Sequence, residues 1–115
     1  MRLAIPLLAF GWTFAASAAQ DPSPGLMALA QAHDRCMTTV AVRESHQETD
    51  DAVIFEHAVA ACAELDAQLH AAIRSNFTAQ QSEELIAMMD EQARPNFMQM
   101  LVQIRAGRVA RGAAE

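Results

Sequence analysis

The sequence predicts an all-α fold: a disulfide-stapled antiparallel helical hairpin followed by a long C-terminal helix, kinked or broken near Pro95. Three observations predict it. Apolar residues recur at helical spacing in three stretches, with no strand-like alternation of useful length between them. A wholly polar run, Glu44 to Asp51, separates the first two stretches. The only two cysteines, Cys36 and Cys62, flank that run, and their midpoint is Thr49.

The elements follow in chain order. Met1-Arg2 gives a positive start, Leu3 to Ala16 is apolar, and Ala16-Ser17-Ala18-Ala19 supplies small residues at two overlapping cleavage positions. Residues 1–19 therefore read as a secretory signal peptide cut after Ala18 or Ala19. The run is short for a membrane span of about 20 residues and contains Pro6 and Gly11. Residues 20–25, with two prolines and a glycine, read as a flexible N-terminal arm. Residues 26–112 read as a single helical domain.

The first stripe is Leu26, Leu29, His33, Cys36 and Val40. After the polar break, Thr49, Asp50 and Asp51 can cap a second helix and place negative charge at its first turn. That helix carries Phe55, Ala58, Cys62, Leu65, Leu69 and Ala72. Thr78-x-x-Gln81 is a capping box that opens the third, with Ile86, Met89, Ala93, Phe97, Met100 and Ile104 on one side. Pro95 removes a backbone donor inside it, while the stripe keeps phase across the proline.

In an antiparallel hairpin, residues equidistant from the turn face each other. Cys36 and Cys62 do so, and both lie on apolar stripes, which predicts a bridge between them. Closing such a loop contributes about 3 to 4 kcal/mol on the chain-entropy model, a large share for a small domain. His33 and Asp66 are nearly equidistant from the same turn, so the hairpin predicts a polar pair beside the disulfide. It reads as a satisfied pair at a core margin, or as an imidazole oriented for a metal or a proton.

Composition bounds the function. The chain of 115 residues carries 14 acids against 8 basic residues, all of them arginine, for a net charge of −6. That balance argues against a nucleic-acid binder. No zinc-protease, di-iron or c-type haem spacing occurs, so the sequence calls for no metal and no cofactor. No nucleophile, base and oxyanion donor can be assembled, so no enzyme is expected. Glu83-Glu84 and Asp90-Glu91 share one helix side and read as a solvated acidic face, with Arg94 four residues after Asp90. Arg105, Arg108 and Arg111 complement the dipole at the end of the last helix.

The functional expectation is an exported, non-catalytic interaction or stress-related protein of the bacterial periplasm. It would bind another protein, or a second copy, through a Met/Phe stripe at Met89, Phe97 and Met100. After signal cleavage no stable membrane span is expected. The alternative is a periplasmic copper or haem binder using His33 with Met37, Met88, Met89, Met98 or Met100 as soft donors. Phe77-Thr78-Ala79-Gln80-Gln81 resembles the Leu-Thr-x-x-Gln motif of Spy-type periplasmic chaperones, with Phe in place of Leu. It occurs once here and twice in that family. The resemblance implies a small, exported, all-helical protein that binds unfolded clients.

Produced through an export route, the protein should begin at Ala19 or Gln20. Its non-reducing mass should fall two hydrogens below that of the dithiol form. A retained leader would refute the signal assignment, and two free thiols would refute the staple.

Overall fold

The structure is a computed structural model in which residues 24–47 and 49–114 are described. The signal peptide, and the arm as far as residue 23, lie outside the described residues. Four helices make up the fold: α1 (Pro24–Glu44), α2 (Asp51–Ala61), α3 (Ala63–Asn76) and α4 (Ala79–Ala114). Among the described residues there is no strand.

α1 starts two residues before the expected Leu26, because the last two arm residues are already helical. Pro24 occupies its first position, where a missing N–H costs nothing and the fixed φ suits a helix. At the next turn Asp50 is the N-cap of α2, its carboxylate accepting from the Ala52 amide at 3.2 Å. Asp51 adds negative charge to the first turn.

The expected second helix is two. Cys62 has φ −105° and ψ 13°, in the sparsely allowed bridge region between the α and β basins. Its amide is shared between the Ala58 and Ala60 carbonyls. The ladder nonetheless continues, since the Asp66 amide donates to the Cys62 carbonyl at 3.0 Å. The deviation is therefore a local bend in direction between α2 and α3, and the antiparallel path survives it.

Phe77 is extended (φ −128°, ψ 164°) and turns the chain into α4. The capping box forms: the Gln81 amide donates to Thr78 Oγ1, and the Thr78 amide donates to Gln81 Oε1, both at 3.2 Å. Buried Ser82 donates back to the Ile73 carbonyl at 3.3 Å, tying the start of α4 to the end of α3. α4 is 36 residues long, about 54 Å at helical rise, and runs unbroken through Pro95. Pro95 is exposed, as are residues 90–96 as a whole, so the Glu91 carbonyl that loses its donor can turn to water.

The three rods run up, down and up. Val40, Ala41, Ile54, Ala58, Cys62, Phe97 and Leu101 form one buried cluster near the α1–α2 turn. Leu26, Leu69, Ile73 and Ile86 form a second at the other end. Pairing of Leu26 with Ile86 and of Val40 with Leu101 makes α1 and α4 parallel. The Cys36–Cys62 disulfide joins α1 to the α2–α3 junction, with Cα atoms 6.0 Å apart. α1 packs closely on α2 and α3, whereas α4 is laid more thinly against all of them.

Leu101→Ala, at a fully buried position, should cost about 2–5 kcal/mol in urea denaturation, while the exposed Val102→Ala should stay within about 0.5 kcal/mol. Replacing both cysteines by serine should cost about 2–5 kcal/mol in the same assay.

Candidate functional site

The helical stripe of α1 places His33 between the two clusters, where the first turn of α3 brings Asp66. His33 Nε2 lies 3.7 Å from Asp66 Oδ1. His70, one turn further along α3, brings its Nε2 to 3.4 Å from the same oxygen. The side chains of His33, Asp66 and His70 are 24%, 43% and 18% exposed. His70 Nε2 is itself buried and makes no hydrogen bond. His70 is legible in the sequence as the i,i+4 neighbour of Asp66 on one helix face. Among the described residues, no three His, Cys, Asp or Glu side chains stand close enough to hold a metal ion.

The stripe residues divide. Phe97 is a correction: it is 3% exposed, in the first cluster, with its ring edge-on to Phe55 at 5.3 Å. Its apolar ring fills the gap between α2 and α4, so it offers a partner no more than an edge at the base of a hollow. Met89 and Met100 are half-buried. Met100 Sδ accepts from the Thr38 hydroxyl at 3.4 Å. The two methionines are eleven positions apart, about 16 Å along the helix, so one ion could not take both.

Both methionines line hollows on the seam between α1 and α4. Leu26, Met27, Ala30, Leu69, Ile73, Phe77, Leu85 and Met89 enclose a hollow of about 260 Å³ with no polar side chain. Phe77 and Leu85 are shared with a second, of about 330 Å³, that adds Gln81, Glu84 and Met88. Met89 is shared with a third, of about 270 Å³, bounded by His33, Asp34, Met37, Asn96, Phe97 and Met100. His33, Met37 and Ala93 continue into a fourth, of about 250 Å³, beside Phe55, Val59, Asp66 and Asp90. The first and third lie between α1 and α4 and share Met89; the second is walled by Phe77 and α4 alone, and the fourth reaches across to Phe55 and Val59 of α2.

Polar contacts gather at the opposite end, at the α1–α2 turn. His57 Nδ1 meets Glu44 Oε1 at 2.6 Å. Arg105 pairs with Asp51. Arg108 donates to the Ser45 carbonyl at 2.9 Å and to its hydroxyl at 3.1 Å. The C-terminal arginines thus hold α4 to the turn, a role the dipole reading did not foresee. The equidistance rule that paired the cysteines also places His57 near Glu44. Arg94 lies over the Phe55 ring, 4.8 Å from its centre.

These features define a disulfide-bonded, all-α bundle with a polar-latched end and an apolar, methionine-lined seam. No protein-family model, no curated protein and no solved structure matches the chain.

A double-mutant cycle on His33→Ala and Asp66→Asn should return a coupling of no more than about 1 kcal/mol at neutral pH, because the pair is partly exposed and longer than a hydrogen bond. A larger coupling would assign the pair a structural weight that this geometry does not supply.

Proposed function

We propose that this is an exported, non-catalytic binding protein that receives an apolar segment of another protein along the α1–α4 seam. The carrying observation is the pair of hollows between α1 and α4 that share Met89: four of the seven methionines, Met27, Met37, Met89 and Met100, line them. Unbranched, polarisable thioethers repack around different side chains, which suits a surface that must adapt to its partner. Met27 is 45% exposed at its lip. Export and a periplasmic location are inferred from the leader, and the disulfide is compatible with an oxidising compartment.

The alternative, a soft-metal or haem role, draws on one observation. His33 and Met37 are one helical turn apart and line the same two hollows. Copper analysis and an absorption spectrum of the exported protein distinguish the readings.

The folded protein should raise the fluorescence of a neutral hydrophobic dye such as Nile red. The variant Met27→Asp, changed at an exposed position that lines the seam, should lose most of that signal while keeping its helical circular dichroism. Val109→Asp, exposed on α4 away from the hollows, should keep it. An unchanged signal in Met27→Asp would refute the groove.

A further inference from the structure

We infer that Met27 is a reversible oxidation site that closes the seam: a peroxide transfers oxygen to its thioether, and the sulfoxide removes the apolar lip of the first hollow. The inference rests on the partner-binding reading above and adds a regulation of the same site. Its basis is which sulfur atoms an oxidant can reach. Both cysteines of the chain are joined in the bridge, so methionine thioethers are the soft sulfur left open to oxygen transfer. Met27 and Met88 are 45% and 54% exposed, whereas Met37, Met89, Met98 and Met100 are half-buried. Met100 Sδ also accepts from the Thr38 hydroxyl, which occupies one of its lone pairs. Exposure thus directs an oxidant to Met27 and Met88 first.

The two exposed methionines differ in what surrounds them. Met88 lines a hollow that also holds Gln81 and Glu84, so a polar group adds little there. Met27 lines the first hollow, whose other seven side chains are all apolar. A sulfoxide is polar and accepts hydrogen bonds. Kept in place, its oxygen meets no side-chain donor, and an unpaired polar group in an apolar site is unfavourable. Turned outward to water, it takes the lip away from the hollow. Either way an apolar partner loses part of its cover. The buried residues of the second cluster are Leu26, Leu69, Ile73 and Ile86. Met27 is not one of them, so the bundle keeps its core when Met27 is oxidised.

The chemistry balances in both directions. With hydrogen peroxide, the Met27 sulfur gives up two electrons, the O–O bond breaks, one oxygen stays on sulfur and the other leaves as water. In the return step a methionine sulfoxide reductase draws two electrons and two protons from a dithiol. The sulfur–oxygen bond breaks, the oxygen leaves as water, and the dithiol becomes a disulfide.

The test treats the exported, disulfide-bonded protein with graded hydrogen peroxide and then titrates it with Nile red, while peptide mass spectrometry locates each added oxygen. Met27 and Met88 should gain oxygen before the four half-buried methionines. Nile red affinity should fall at least about tenfold as Met27 is converted, with helical circular dichroism unchanged. Met27→Leu, close to methionine in volume, should bind the dye and ignore peroxide. Met88→Leu, which retains Met27, should lose affinity as the parent chain does. A methionine sulfoxide reductase should restore the affinity.

Met27 left unmodified while half-buried methionines gain oxygen would overturn the inference. So would full Nile red binding by the Met27 sulfoxide, or equal peroxide sensitivity in Met27→Leu; both leave the groove reading standing. Loss of helical circular dichroism together with the dye is general damage and overturns the inference. Affinity lost and not restored by the reductase overturns the reversible site. An untreated protein that binds no Nile red removes the groove reading, and the inference with it.

Discussion

One covalent tie, between Cys36 and Cys62, carries what two small apolar clusters could not carry alone. The described residues form two buried clusters and no single continuous core. A cluster near the α1–α2 turn and a smaller one near the α3–α4 corner are separated by the level at which His33, Asp66 and His70 meet. Domains of this size bury too little surface to have much stability in reserve. Fixing the middle of α1 to the α2–α3 junction removes loop entropy from the unfolded chain and holds both clusters in register. With the hairpin fixed covalently, α4 need only lie across it. That relaxed requirement is what leaves its seam with α1 open.

Much of this was legible because helices obey simple rules of spacing. The stripes marked the buried faces, the polar run marked the turn, and equidistance from that turn paired the cysteines. Thr78 and Gln81 cap α4 as their spacing implies, since a capping box is a local device that needs no tertiary information. The bend at Cys62 was not legible. It depends on how the chain meets its neighbours, and nothing in the residues around it signals a break. Pro95 could be read as a disturbance, but whether it would end the helix depended on which face it occupied. On the solvent side, continuation costs little.

The site was legible only in part. Periodicity places Phe97 and Met89 on the same face of α4 and cannot say how deeply each is buried. Phe97 meets Phe55 and is covered, while Met89, eight residues earlier, borders the gap between α1 and α4. His70 and the contacts of Arg105 and Arg108 were missed for a different reason. They depend on which elements adjoin in space, and sequence spacing reports that only within one helix or across one symmetric hairpin.

The uneven distribution of contacts also gives the molecule a direction. At the α1–α2 turn, Arg105 and Arg108 fasten α4 to the hairpin through polar bonds of fixed geometry. At the far end, α4 is held by the small apolar cluster, by Ser82 and by the corner at Phe77. A body pinned at one end and packed more softly at the other moves like a peg, with a pivot and jaws. The jaws are the α1–α4 mouth at Met27, where apolar contacts alone would have to give for the seam to widen.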